Sequence, residues 1–556
     1  MENIKMPWLN SYPAGVPLTI NLDQYTSLAH FVENCLDKYS RLTAYENMGK
    51  KLSYKEIDNL SKAFASYLIN KLGMKPGDKI AIQMPNILQY PIALLGSIRA
   101  GLTIVNMNPF YTQYEMEEHI RDANIKCIVI LANFAYKVEQ ILKTTTIEHI
   151  IITEIGDLLG LVKKNVVNFI TKHIKKIVPT YNIKSKIHFN DVIQAGKKLP
   201  FTKPNIDSED VVFIQYTGST TGKAKGVMLT NKNILASIEQ TTSWVLSKLK
   251  EREEIIITAL PVYHIFSLTI NVLTALRIGA KNVFITNPRA INTFINELKK
   301  HKFTILTGVN TLFKLLLSSK NFKTIDFTHC KVCLGGGMPL EIEVIKQWQE
   351  ATKSQLFEGY GLTEASPVVA CSTLNDSHII GSVGLPLPST LVRIIDENGN
   401  DLEPGQPGEL IAKGPQIMKG YLNNQQETQE TIIDGWLKTG DIATMDEKGF
   451  IKIIDRKKDM INVSGFNVYP REIEIILNRH PKVSESAVVG IKDTKTGESI
   501  KAFVVKKEQS LERQEIITYC TDYLTTYKVP KYIEFVDELP KSTVGKILKK
   551  DLKIMQ

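Results

Sequence analysis

Phosphate chemistry is what the residue types first suggest. The run Tyr216-Thr217-Gly218-Ser219-Thr220-Thr221-Gly222-Lys223-Ala224-Lys225-Gly226 gathers glycines, hydroxyls and lysines behind the apolar stretch Val211 to Ile214. Glycine lets a backbone approach an anion closely, while hydroxyls, backbone N–H groups and ammonium groups donate to it. The spacing is not that of a Walker A loop. Only three residues separate Gly218 from Gly222, and Ala224 follows Lys223. On glycine and threonine content alone, a polar surface loop explains the run equally well. Farther on stand Glu358-Gly359-Tyr360-Gly361-Leu362-Thr363-Glu364, Lys438-Thr439-Gly440-Asp441, Asp455-Arg456-Lys457-Lys458 and Pro540-Lys541-Ser542-Thr543-Val544-Gly545-Lys546, with Gly335-Gly336-Gly337 closing an apolar run. Cys330 and Cys333 form a CxxC, but no second pair or histidine cluster completes a zinc site. Their neighbours Val332 and Leu334 mark a buried strand instead.

The elements that must position these residues alternate in type. Lys79 to Gln83 reads as a strand, Leu88 to Arg99 as a helix, Leu102 to Asn106 as a strand, Gln113 to Ala123 as a helix and Lys126 to Leu131 as a strand. Strands spaced by such helices predict parallel sheet built from βαβ units. The alternation returns from Val211 to Val369, with strands at Thr304 to Leu306 and Lys331 to Leu334 and a helix at Glu341 to Ala351. From about Ile380 short strands, Leu391 to Ile395 and Glu409 to Ala412, are separated by turn signals, which predicts a small antiparallel β subdomain. After Asp455 an α+β pattern begins: helices at Pro470 to Asn478 and Leu511 to Leu524, strands at Glu485 to Gly490 and Ala502 to Lys506. The fold class expected is therefore α/β. A large N-terminal domain, 1–455, would hold a β subdomain at about 380–455, and a small mobile α+β domain would span 456–556.

Composition narrows the classes. The chain has 556 residues, 43% hydrophobic and 23% charged, which excludes a fibrous or wholly disordered chain. Its formal charge of +10 suits an anionic substrate, a membrane surface or nucleic acid without choosing among them. No uninterrupted apolar run reaches membrane-spanning length. The longest, Tyr90 to Val105, contains Gly96, Arg99 and Gly101. Met1 to Pro17 lacks a signal-peptide core, and six cysteines in so long a chain predict a reducing, cytoplasmic compartment.

Taken together and in order, the five segments resemble the adenylate-forming superfamily, which includes acyl-CoA synthetases, luciferase and peptide-synthetase adenylation domains. Asp434-Gly435-Trp436-Leu437-Lys438-Thr439-Gly440-Asp441 running through Gly449-Phe450 to Lys458 resembles the signature of long-chain fatty acid–CoA ligases. The opening Trp8-Leu9-Asn10-Ser11-Tyr12-Pro13-Ala14 and Ala259-Leu260-Pro261-Val262-Tyr263-His264-Ile265-Phe266 are similar to the bacterial enzymes. The resemblance implies a two-step reaction. A carboxylate attacks the α-phosphate of ATP, giving acyl-AMP and pyrophosphate, and the thiol of coenzyme A then displaces AMP. It implies that Thr217, Gly218, Ser219, Thr220, Thr221, Gly222 and Lys225 hold the β- and γ-phosphates, with Ser219 departing from a usual glycine. Glu364 would ligate Mg²⁺, and Thr363 would meet the α-phosphate beside Gly361. The adenylate would lie on Gly335, Gly336 and Gly337, with Glu358, Gly359 and Tyr360 around the adenine. Asp441 would bind the ribose, Arg456 the ribose and phosphate, and Lys546 the reacting oxygens.

One site must serve both steps, so the resemblance implies rotation of the small domain about a hinge at Lys458. Ser464 and Gly465 would then line the coenzyme A channel. His264 is expected to position or gate the acyl group, with a lesser option as base for the thiol. Trp244 is a candidate gate, although lone tryptophans are usually packed.

The stretch from Leu161 to Ile187 carries Lys163, Lys164, Lys172, Lys175, Lys176, Lys184 and Lys186 and no acid, with Val166, Ile170, Ile174 and Ile177 at helical spacing. It fits a helix on an anionic membrane surface or a core-packed helix with a solvated lysine face. The partners expected are fatty acid, ATP and coenzyme A, with peripheral association to the inner face of the cytoplasmic membrane through Lys163 to Lys186. A homodimer stays open. Nucleic acid is not expected, because the basic stripe interleaves Val and Ile rather than aromatics. Transfer to a carrier protein, activation of a non-fatty acid and a non-catalytic lipid-binding module remain as alternatives.

Overall fold

The protein was analysed as a computed structural model, which describes residues 5–217, 224–464, 466–493, 496–542 and 545–554. Two large mixed sheets form the bulk of the chain. The centre of the first is parallel, in the order Lys281–Phe284, Ile255–Thr258, Ile305–Gly308, Val332–Gly336 and Leu356–Gly361. The centre of the second is also parallel, from Lys186–His188 through His149–Thr153, Ile125–Leu131, Lys79–Gln83 and Thr103–Asn106 to Val211–Thr217. The βαβ expectation holds for these centres. It fails at three of the four edges, which are antiparallel, while Lys186–His188 stays parallel. The hairpin Thr43–Asn47 and Lys50–Ser53 joins one sheet, and Lys225–Thr230 folds back on Val211–Thr217 in the other.

The long apolar run is a buried helix. Every residue of Gln89–Arg99 is buried. Arg99 is tolerated there because its guanidinium donates to the Asp58 carboxylate at 2.7 Å, the Asp58 carbonyl at 2.9 Å and the Ser61 hydroxyl at 2.9 Å. Among the described residues no helix is long and apolar enough to cross a membrane. The CxxC belongs to the core: Cys333 is buried on its strand, and its sulfur lies 3.4 Å from that of Cys330, both free thiols.

A third, antiparallel sheet joins Leu391–Ile395, Gly408–Lys413, Ile432–Ile433, Trp436–Met445 and Ile451–Arg456. A short helical turn, Lys457–Asp459, follows. The fourth sheet contains Ile461–Val463, Phe466–Val468, Val483–Asp493, Gly497–Lys506 and Tyr532–Val536. Helix Pro470–Arg479 starts on a proline, whose fixed φ suits a first helical turn. It packs with Arg513–Tyr523 against one face of the sheet, while Leu552 of Lys549–Ile554 packs on Ala487, Val489 and Phe503 of the other.

The basic segment departs from the core-packed expectation. Leu161–Phe169 is a helix that widens into the turn Ile170–Ile174, and neither has a buried residue. Its polar side chains face the protein instead. Lys163 reaches the Met48 carbonyl, Lys164 lies 3.4 Å from Asp157, and Asn168 bonds Glu154 at 2.7 Å and the Gly156 N–H at 2.8 Å. Leu161, Val162, Val166, Phe169, Ile174 and Ile177 are exposed, the first two by 84% and 80%.

Candidate active site

The hairpin Val211–Thr217 and Lys225–Thr230 delivers the phosphate segment. Thr217 and Lys225 are its last cross-strand partners, so both stand at the mouth of the connecting loop. Gly218, Ser219, Thr220, Thr221 and Gly222 lie outside the described residues. Lys225 forms an ion pair with Glu427, and its ammonium sits 5.2 Å from the Tyr421 ring centroid. The Tyr421 hydroxyl donates to Glu364 Oε1 at 2.9 Å. Glu364 and Thr363 share the short turn after Leu356–Gly361.

The glycines expected to floor the nucleotide stand on adjacent parallel strands. Gly335 pairs with Glu358 and Gly336 with Gly359. Gly337 has φ +76°, a conformation that favours glycine. Glu358 is buried, and its carboxylate accepts the Leu340 N–H at 3.2 Å, pinning the turn that follows the glycines. Burial pushes its pKa up to about 7, only partly opposed by Arg471 and that N–H. Its side chain therefore braces the turn that follows Gly337. Tyr360 donates to Asp441 Oδ2 at 2.6 Å, and Arg456 Nε lies 3.1 Å from Asp441 Oδ1. Asp441 and Arg456 are cross-strand partners, which fixes this pairing by register.

Lys546 closes the site from the C-terminal unit. The turn that carries it is held by a bridge between Lys541 and Ile547 and by Lys541 to Glu485 at 2.7 Å. Gly545, at φ +83°, sits so close to Thr311 that a Cβ would lie 2.5 Å from its hydroxyl oxygen. That contact docks the turn on the helix Asn310–Ser318. The Lys546 residue still reaches solvent, but protein atoms crowd its ammonium. That desolvation, followed by repulsion from Arg456, lowers its pKa to about 8, while Asp441 acts in the opposite direction. Lys458 is lowered too, by burial and then Arg456, with Lys225 adding to the effect. Lys458 thus lies within electrostatic reach of Lys225, Arg456, Asp441 and Asp459, and Lys546 within reach of Arg456, Lys458, Asp441 and Asp459, a charge pattern suited to a polyanion.

His264 follows the turn at Pro261 and feels the same cleft. Burial, then Lys546, lowers its pKa to about 4, so the imidazole is neutral at neutral pH. That argues for a positioning role and against a strong base. Ser464 lies elsewhere, at φ +52°, with its N–H bonded to the Thr496 carbonyl at 2.8 Å. Gly465 is outside the described residues. Trp244 is packed: its ring is edge-on to Tyr12 at 5.5 Å, and Nε1–H donates to the Ser372 carbonyl at 3.0 Å. Sequence reasoning missed Tyr421, Glu427 and Thr311. Their only local signal is Asn424, a helix cap whose side chain accepts the Glu427 N–H.

Comparison with known proteins agrees with this fold. The family model described as AMP-binding enzyme matches residues 32–422, and the AMP-binding enzyme C-terminal domain matches 472–546. A long-chain-fatty-acid–CoA ligase of Escherichia coli O6:H1 is 48% identical over 550 residues, covering 99% of this chain and 98% of the relative. ATP-bound MatB from Rhodopseudomonas palustris superposes with TM-score 0.79 at 27% identity, over 95% of this chain and 98% of that one. A benzoate CoA ligase from Burkholderia xenovorans shares the fold, with TM-score 0.81 at 23% identity over 95% of this chain and 100% of that one.

Proposed function

The chain belongs to the AMP-binding enzymes of the adenylate-forming superfamily, and from that premise we propose how its residues divide the work. It activates fatty acids with ATP through an acyl adenylate and passes the acyl group to coenzyme A. The observation that carries the assignment of roles is the Asp441–Arg456 cross-strand pair, with Lys458 and Lys546 within electrostatic reach of it.

The first step brings a carboxylate to a polyanion, so its main requirement is charge neutralisation. Lys225, Thr217 and the loop from Gly218 to Gly222 take the β- and γ-phosphates, and Thr363 takes the α-phosphate. Lys546 holds the attacking carboxylate and the bridging oxygen. Asp441 binds the ribose hydroxyls; its Oδ2 accepts the Tyr360 hydroxyl, its Oδ1 is ion-paired with Arg456, and both oxygens keep lone-pair capacity. Gly335, Gly336, Gly337, Gly359, Tyr360 and Gly361 form the adenylate wall, and Glu358 fixes its curvature. Glu364 suits Mg²⁺. It is a hard carboxylate whose Oε1 is held by Tyr421 and whose other oxygen has no hydrogen-bond partner among the described residues. The ion would neutralise triphosphate charge there.

Thioester formation needs the thiol to reach the carbonyl that Lys546 covers. The C-terminal unit, 456–556, therefore turns about Lys458, in the short connection between the third and fourth sheets. Lys546 leaves, and the loop at Ser464 and Gly465 comes in. Pyrophosphate release that requires fatty acid, followed by thioester only when coenzyme A is added, tests this order. Thioester formed without prior pyrophosphate release contradicts it.

The exposed apolar row of Leu161–Ile177 supports a second reading, peripheral docking on an anionic membrane. Its polar side chains pin the helix to the protein, leaving Leu161, Val162, Val166 and Phe169 outward with Lys172, Lys175 and Lys176 nearby. That arrangement suits the interface between lipid headgroups and acyl chains. It would set the enzyme where its substrate partitions.

A further inference from the structure

We propose that Glu427 is a built-in counter-ion that occupies Lys225 in the nucleotide-free enzyme and must release it for ATP. The inference rests on the reading of Lys225 as a ligand of the β- and γ-phosphates.

The segment that begins with Gly420–Tyr421, the edge strand of the second sheet, grips both residues assigned to the phosphate side. Glu427 pairs with Lys225, and Tyr421 packs under the same ammonium while its hydroxyl holds Glu364. The backbone of this segment is fixed. Gly420 and Tyr421 pair with Met228 and Val227. The Tyr421 N–H donates to Thr428 Oγ1 at 2.9 Å, and the Asn424 side chain caps the Glu427 N–H at 3.1 Å. Among the described residues the Glu427 carboxylate pairs with Lys225 and makes no other hydrogen bond. The two side chains are 20% and 31% exposed, so solvent screens the pair only in part.

A carboxylate and a terminal phosphate compete for one ammonium. Ligands that reach Lys225 carry the cost of breaking the pair, and AMP, which ends at the α-phosphate, does not. The pair thus lowers affinity for ATP and for pyrophosphate together. Weaker pyrophosphate binding favours its departure after the first step. Glu427 acts here as a positioning residue, through Lys225.

The test compares equilibrium binding of ATP, pyrophosphate and AMP to the full chain and to Glu427→Gln, without fatty acid. The glutamine keeps the shape, and the Asn424 cap is untouched because it uses backbone. Tighter binding of ATP and pyrophosphate by about fivefold, equivalent to about 1 kcal/mol, is expected, with AMP affinity unchanged. Unchanged or weaker ATP binding overturns the inference, and so does equal tightening of AMP, which would mark a general charge effect. Lys225→Met separates the two layers of the argument. It should weaken ATP and pyrophosphate but not AMP. If Lys225→Met leaves ATP binding intact, the phosphate reading falls and the inference falls with it. If Lys225→Met weakens ATP while Glu427→Gln changes nothing, the phosphate reading stands and the counter-ion is refuted.

Discussion

Lys546 should impose an alkaline limit on adenylation. Its ammonium is held near pKa 8 by desolvation first and then by Arg456. The cation is present below that value and is lost as pH rises through it. From about pH 7 to about pH 9 the protonated share of a group with that pKa falls roughly tenfold. The quantity that reports the free enzyme is kcat/KM for ATP, measured as fatty-acid-dependent pyrophosphate release. It should fall roughly tenfold over that range. Lys546→Arg keeps a cation whose pKa lies far higher, so its profile should stay flat there even if its absolute rate is lower. Lys546→Ala should lose about 100-fold or more, the scale for removing a charge that acts in the transition state. Thioester formation from supplied acyl-AMP should not lose rate at high pH. An unchanged alkaline limb in Lys546→Arg, or full adenylation by Lys546→Ala, would refute the reasoning.

Three further outcomes follow from the same structure. Glu358 has its pKa raised to about 7 by burial, so its ionisation weakens the fold as pH rises from about 4.5 through 7. Glu358→Gln should therefore unfold at higher temperature than the parent at about pH 8, by up to about 3 kcal/mol, and match it in acid; equal stability at both pH values opposes this. Lys458→Pro should spare acyl-AMP formation and block thioester formation, and equal loss of both half-reactions would disprove the hinge. Changing Lys172, Lys175 and Lys176 to glutamate should release the protein from anionic liposomes in a pelleting assay, at about 1 kcal/mol per lysine removed; equal pelleting removes the membrane reading.

Much of this architecture is visible in the sequence because its signals are local. The strand Lys79–Gln83 and the helix Pro470–Arg479 declare themselves by apolar runs, a turn and a proline. The phosphate segment is legible because glycines and hydroxyls follow an apolar strand. What local signals cannot give is sheet order. Nothing near Thr43–Asn47 announces that it will pair with Lys281–Phe284. The same limit hid Glu427, far from Lys225 in sequence and brought to it by the pairing of Gly420–Tyr421 with Lys225–Thr230. In the basic segment the spacing was plain, but which face docks depends on the distant acceptors Met48, Glu154 and Asp157. Lys163, Lys164, Asn168 and Val167 face the protein, and Leu161, Val162, Val166 and Phe169 are left outside. For His264 the sequence supplied the residue and not its protonation, which depends on burial and on Lys546.

The central claim is that the fatty acid carboxylate attacks the α-phosphorus of ATP. It is tested most directly by tracing isotopically labelled oxygen from the carboxylate through a complete turnover with coenzyme A. The account predicts one labelled oxygen in AMP and none in pyrophosphate. Label in pyrophosphate or orthophosphate, or unlabelled AMP alongside thioester, would contradict it.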